Sequence, residues 1–145
     1  MSIAVRRLTP ADDLAGWIAA HWHGDVIVIR ERAFRAEELD GFVAVRNGIV
    51  GGVLSFVAME DTLQLVSLDA SYRREGIGTS LVAAAVAHAG ELGLRRVVLT
   101  TTNDNATALI FWQRLGFRLV ALRPGAIDRT RHLKPTLPEL GENDI

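Results

Sequence analysis

Arg73, Arg74, Gly76, Gly78 and Thr79 sit where an apolar run of strand type gives way to an alanine-rich run of helical type. Residues 63–93 therefore read as strand, glycine loop and helix, with the helix opening at Thr79. A junction of this kind binds phosphate. The glycines on either side of Ile77 allow positive φ and close backbone approach. The first helical N–H groups lack intrahelical acceptors, and the helix dipole favours an anion beside them. Arg73 and Arg74 add full charge at the loop, or else serve as solvated surface cations. A nucleotide P-loop is disfavoured because Gly78 is followed by Thr79 and Ser80 with no lysine. A dinucleotide fingerprint is disfavoured because Leu81 occupies the place of its third glycine.

Two motifs narrow the ligand. Arg73-x-x-Gly76-x-Gly78 resembles the pyrophosphate-binding loop of the GCN5-related N-acetyltransferase (GNAT) family. The run from Asn105 through Ala108, Phe111 and Trp112 to Leu115-Gly116-Phe117 resembles that family's second motif, an Asn-initiated helix ending in Leu-Gly-Phe. The resemblance covers residues 3–120. It implies an α/β (α+β) fold with a mixed, mostly antiparallel central sheet, splayed between the fourth and fifth strands and flanked by helices. Acetyl-CoA would lie in the splay as co-substrate. Backbone groups of Leu68 and Asp69 would run beside the pantetheine and hold the acetyl carbonyl. The loop of Arg73, Arg74, Glu75, Gly76, Ile77, Gly78 and Thr79 would take the pyrophosphate. Asn105 would contact the cofactor, act as a plain N-cap, or do both.

The implied reaction is direct attack of an amine on the thioester. It needs a base for the ammonium, a donor for the developing oxyanion and a route for the departing thiolate. Glu60, Asp61 and Asp69 are the carboxylates nearest the expected centre. Glu60 is the first choice as base, acting directly or through water, and Asp69 the second; a hairpin-tip acid is otherwise simply solvated. The family commonly places a tyrosine where this chain has Trp112, beside the cofactor. An indole has no usable acidic proton, and Tyr72 precedes the phosphate loop. Leaving a thiol of ordinary pKa as thiolate at neutral pH costs about 2 kcal/mol. The expectation is thus a modest transferase or one that uses water as the acid. Alternatives are a non-catalytic acyl-CoA sensor or interaction module, and an RNA-directed transferase using Arg123, Arg129, Arg131, His132 and Lys134. For the last, a solvated tail is the simpler reading of the same residues.

The remaining elements must position these groups. Residues 3–8 alternate weakly as an edge strand. Thr9 reads as an N-cap, Pro10 as the first helical residue, and Asp12 and Asp13 as first-turn acids of a helix ending at Gly24. His21 and His23 do not form a metal site, because residues two apart on a helix point in different directions. His21 is instead a packed or rim histidine, or a substrate contact, and His88 and His132 add no cluster. Residues 26–29 are a β-branched run, and 30–40 a solvated loop or short helix. Residues 42–45 and 49–58 form a hairpin about Asn47-Gly48, with Gly51 and Gly52 marking a bulge or close approach. A strand over 62–68 places Glu60 and Asp61 at a second hairpin tip. Leu81, Val82, Ala85, Val86, Ala89 and Leu92 form one helical stripe, residues 97–99 a buried strand, and 118–122 a returning strand.

Composition sets the bounds. The 145 residues suit one acyltransferase domain. With no cysteine there is no disulfide, thiolate metal site or cysteine nucleophile, so acyl transfer goes directly to the acceptor or through another nucleophile. A net charge of -1 argues against a general nucleic-acid binder. The absence of a long apolar run and of a signal-peptide core predicts a cytoplasmic protein. A single lysine among many arginines, with abundant alanine, hints at a GC-rich bacterial genome. Beyond Arg123 no apolar run remains for the family's last sheet strand. The expectation is a natural chain continuing past Ile145, with an exposed edge that allows a homodimer. The acceptor amine is not legible.

Overall fold

The computed structural model describes residues 3–22, 24, 26–29, 32–70, 76–101 and 105–123. A five-stranded sheet is assembled from β1 (Ala4–Arg7), β4 (Asp40–Arg46), β5 (Ile49–Met59), β6 (Thr62–Ala70) and β7 (Arg96–Val98), in that spatial order. Every pairing is antiparallel except β6 with β7. A separate hairpin joins β2 (Val26–Ile29) to β3 (Arg32–Arg35). Three helices flank the sheet: α1 (Leu14–His21), α2 (Ile77–Glu91) and α3 (Ala106–Arg114).

Strand alternation sends side chains to two cores. On one face Phe42, Leu54, Phe56, Leu63 and Leu65 pack under Ile77, Leu81, Val82 and Ala85 of α2, with Phe111 and Trp112 of α3 at the margin. On the other, Val43, Val53 and Val66 pack with Leu14 and Ile18 of α1 and with Ile27, Ile29 and Phe34 of the β2–β3 hairpin. Two bulges adjust the ladders. Ala44 faces Gly52 while Val45 faces Val50, so Gly51 is the extra residue. Ser55 faces Ser67 while Phe56 faces Leu65, so Val66 is the extra residue in β6. Gly52 also meets the expected close approach. A Cβ there would lie 2.5 Å from Ile77 Cγ2 and 3.0 Å from the Asp69 carbonyl oxygen.

Several expectations are corrected. The first helix is split into a 3-10 turn (Pro10–Asp12) and α1, because Asp13 adopts a left-handed φ of 52° and its carboxylate caps Gly16 N–H at 3.2 Å. Helix α1 stops at His21, short of Gly24. The charged segment holds the strand β3, which buries Phe34 between flanking arginines, and a short 3-10 turn (Ala36–Glu38). Helix α2 opens at Ile77 on a Gly76 cap, two residues before Thr79. Val86 and Leu92, expected on its buried stripe, are exposed. Strand β7 is only half-buried. Residues 118–122 are not a strand: Leu119, Val120 and Leu122 are 70%, 87% and 73% exposed, with no pairing partner among the described residues. Extended backbone without a ladder partner gains nothing from strand geometry. The segment beyond Arg123 lies outside the described residues.

Because the missing side chain at position 52 seats the first turn of α2, Gly52→Ala should destabilise the fold by about 1–3 kcal/mol and lower Tm by several degrees. Gly90→Ala, where an added Cβ meets nothing within 4 Å, should leave Tm unchanged or raise it. Thermal melts of the two variants check this; equal melting points would remove the seating role from Gly52.

Candidate active site

Strands β6 and β7 run in parallel only where Thr62, Leu63 and Gln64 face Arg96, Val97 and Val98. Buried Gln64 marks the last rung, its Nε2 donating to the carbonyls of Leu65 (3.0 Å) and Val98 (3.4 Å). Past it the strands part. From Leu65 to Ala70 the β7 side of β6 has no strand among the described residues, so backbone donors and acceptors line a gap. At the open end of that gap stands the N-terminus of α2.

Gly76 caps α2 with φ 81°, and an added Cβ there would meet open space. As glycine it offers no side chain to the first helical amides, and its carbonyl takes Ser80 N–H (2.9 Å) and Ser80 Oγ (2.8 Å). The amides of Ile77, Gly78 and Thr79 are thus the donors an anion would meet. The Ile77 side chain is buried beneath this turn and only its backbone can serve a ligand. Gly78 has a different reason to be glycine: an added Cβ would lie 3.2 Å from Phe111 Cζ and 3.9 Å from Leu68 Cδ2. Phe111 and Leu68 therefore wall the gap next to the helix terminus, which gives the motif residue Phe111 a place in the wall. Tyr72, Arg73, Arg74 and Glu75 lie outside the described residues.

Helix α3 carries the second motif as expected. The Asn105 carboxamide oxygen accepts from Ala108 N–H at 3.1 Å as the N-cap. At the other end Phe117 N–H reaches the Trp112 carbonyl (3.1 Å) and Gly116 N–H the Gln113 carbonyl (3.0 Å), with Gly116 at φ 94°. This doubly bonded glycine cap fixes Phe117 against Trp112. The Trp112 ring contacts Phe111 and Phe117 edge-on, at 5.0 and 5.1 Å between centroids.

The two candidate bases lie at opposite ends of β6. Glu60 and Asp61 occupy the β5–β6 turn, with Glu60 exposed at φ 55°. There Asp61 holds the entry to β7, its carbonyl accepting from Arg95 N–H (2.7 Å) and Arg96 N–H (3.3 Å). This is the paired end of the strands. The nine residues of β6, about 30 Å at strand rise, separate that turn from the open end. Asp69 is at the open end, half-buried, facing away from α2. Its Oδ2 accepts from Trp22 Nε1–H at 2.8 Å. Trp22 closes α1, donating its backbone N–H to Ile18 (2.8 Å). His21 stacks on Trp17 at 5.2 Å and donates Nδ1–H to the Trp17 carbonyl at 2.9 Å. Burial holds the Asp69 carboxyl above the usual carboxylate range, opposed by the Trp22 hydrogen bond and the nearby His21. A surface groove of about 340 Å³ follows the outer side of α1 past Asp13, Gly16, Trp17 and His21. Another of about 420 Å³ lies at the opposite end of α2, lined by Arg7, Asp40, Phe56 and His88, away from the Gly76 turn. Among the described residues no group of three or more histidines or acids could hold a metal ion, and no helix is long and apolar enough to cross a membrane.

A mostly antiparallel sheet that opens beside a glycine-capped helix N-terminus defines the acyl-CoA transferase class of fold. The model of the Acetyltransferase (GNAT) family matches residues 8–117, and the chain belongs to that family. It is 36% identical over 133 residues to YdhI of Bacillus subtilis, covering 91% of this chain and 83% of that protein. It is 34% identical to YxbD of the same organism over 147 residues, 100% and 92% of the two chains. Among solved structures it is similar to an IAA acetyltransferase from Bacillus cereus (TM-score 0.69, 21% identity, 83% and 79% of the two chains). It is also similar to the ribosomal-protein-S18-alanine N-acetyltransferase of Escherichia coli (TM-score 0.65, 19% identity, 84% and 81%). The aminoglycoside N-acetyltransferase AAC(6')-Iy, solved with CoA, shares the fold (TM-score 0.63, 19% identity, 84% and 94%).

An ionised carboxylate held in a partly desolvated place costs stability. With its folded pKa raised, Asp69 adds stability only in its protonated form, and that contribution is lost as pH rises through the folded value. Asp69→Asn keeps an acceptor for Trp22 without the charge. It should therefore raise Tm at neutral pH, with the gap to wild type closing at mildly acidic pH. Calorimetric melts at the two pH values decide it, and a lower Tm for the variant at both would contradict the account.

Proposed function

We propose that the protein is an acetyl-CoA-dependent N-acetyltransferase that moves acetyl to a primary amine of a small molecule or peptide by direct attack in a ternary complex. The observation that carries this reading is the parting of β6 from β7 beside the Gly76 cap. One side offers strand-edge backbone groups suited to an extended pantetheine arm. The other offers the first-turn amides of a helix N-terminus suited to its pyrophosphate. Bound there, the thioester supplies the activated acyl group. Leu68 and Asp69 contribute backbone groups along the arm; Arg73, Arg74, Glu75 and the amides from Gly76 to Thr79 surround the phosphates, and Asn105 and Trp112 border the cofactor from α3.

Asp69 replaces Glu60 in this proposal, because it stands at the open end of β6 with one oxygen unpaired among the described residues. It takes a proton from the ammonium, directly or through one water. The amine nitrogen bonds to the acetyl carbon, the carbon–sulfur bond breaks, and water protonates the departing thiolate, since Trp112 has no acid to give. The reading extends to a cytoplasmic protein. The missing acid at Trp112 also favours one other reading, an acyl-CoA sensor; thiol release in the presence of amines separates the two, and a chain without cysteine gives no background.

Acetyl-CoA at about 100 times its Kd should stabilise the fold by about 2.7 kcal/mol, raising Tm by several degrees. Gly76→Glu should abolish the shift while leaving the unliganded protein folded. A melting point that saturating acetyl-CoA does not move would refute the cofactor site. Separately, Trp112→Tyr should raise turnover at unchanged acetyl-CoA affinity, measured as thiol release; unchanged or lower turnover would count against water as the sole acid.

A further inference from the structure

We propose that Trp22 is a positioning residue for acetyl transfer: its indole N–H fixes one oxygen of Asp69 from the end of α1 and leaves Oδ1 to meet the incoming ammonium. This rests on reading Asp69 as the proton acceptor. The two residues are 47 apart in sequence and meet because α1 docks on the face of the sheet toward which Asp69 points. An indole buried only for its bulk needs some acceptor, and a neutral carbonyl would serve. Here the acceptor is a half-buried carboxylate at the open end of β6, and the bond is short at 2.8 Å.

The support is rigid on both sides. Trp22 N–H is bonded to Ile18, whose side chain lies in the core with Val53 and Val66, and Val53 is the cross-strand neighbour of Asp69. Among the described residues, three elements face the carboxylate. Helix α1 presents Trp22 and the charge-capable His21, β5 presents apolar Val53, and β2 is apolar throughout. His21 is itself held, its Nδ1 engaged with the Trp17 carbonyl and its ring stacked on Trp17, so Nε2 is its remaining ring nitrogen. One carboxylate oxygen is thus tethered and the other without a partner among the described residues, next to the aromatic side chains at the end of α1. An acceptor amine entering along α1 would meet that wall on its way to Oδ1.

The donor favours the ionised carboxylate, so its removal has a signature that lost packing alone does not produce. The chain has three tryptophans, so three indole N–H signals are expected. The one that vanishes in Trp22→Phe should shift with pH about a single midpoint, and that titration should vanish in Asp69→Asn. In Trp22→Phe the Asp69 carboxyl, followed by carbon NMR, should titrate at higher pH than in wild type. The acid limb of thiol release from acetyl-CoA with a panel of simple primary alkylamines should move the same way, with the Tm shift given by acetyl-CoA alone retained. An indole signal that ignores the Asp69 titration, or an unchanged carboxyl midpoint in the variant, would overturn the proposal. If Trp22→Phe does not fold, the indole of wild type against that of Asp69→Asn decides. None of the NMR readouts depends on turnover. A missing acetyl-CoA shift in wild type would remove the transferase reading, whereas a non-titrating indole removes only the role of Trp22.

Discussion

Parallel strands share hydrogen bonds only while they run side by side, and β6 and β7 do so for three residues. The ladder is pinned at one end, where Asp61 receives the amides of Arg95 and Arg96, and is released at the other, beyond Gln64. A backbone edge left bare inside a fold is costly unless something covers it. The gap so created is flanked by Leu68, Phe111 and the first turn of α2, which supply an apolar wall and a set of amides within a few residues of each other. The acidic turn at the pinned end, the glycine cap at the open end and the packing of α3 against α2 all take their roles from this divergence.

Gly76 and Gly78, adjacent in the motif, answer to different forces. Gly76 is a matter of backbone conformation and open space, whereas Gly78 is a matter of contact, letting α3 approach α2 until Phe111 rests on the helix backbone. The aromatic row Phe111, Trp112 and Phe117 continues that contact along α3. The glycine cap at Gly116 holds the end of the row in place. The second motif is thus legible as a packing device.

Local chemistry made some elements readable from sequence. Asn47-Gly48 set a tight turn, with φ of 54° and 76°, and Leu115-Gly116-Phe117 set a helix end; each depends on a few neighbouring residues. The failures depended on residues far apart or on competing local signals. Asp13 has the residue type of a first-turn acid, yet its carboxylate takes Gly16 N–H and its left-handed backbone breaks the helix. Strand β3 hid among charges because only Phe34 in its four residues is buried. Proximity along the chain to a strand does not tell which of its ends is open, so sequence alone does not rank Glu60 against Asp69. Trp22 was invisible as a partner of Asp69, since no spacing rule links positions on separate elements. Residues 118–122 have the composition of a strand but no neighbour to pair with among the described residues.

The extra residue Val66 has a consequence for which ligand meets the carboxylate. Leu63 and Leu65 point toward α2, and simple alternation would send position 69 the same way. The bulge inverts the parity, so that Leu68 joins the α2 core while Asp69 turns to Trp22 on the opposite face. Consecutive residues thereby address different faces, the apolar one packing on the α2 side and the acidic one meeting Trp22 at the end of α1. A single inserted amino acid acts as a rotary switch in the strand, and a chain without it would present its acid to the wrong side of its own sheet.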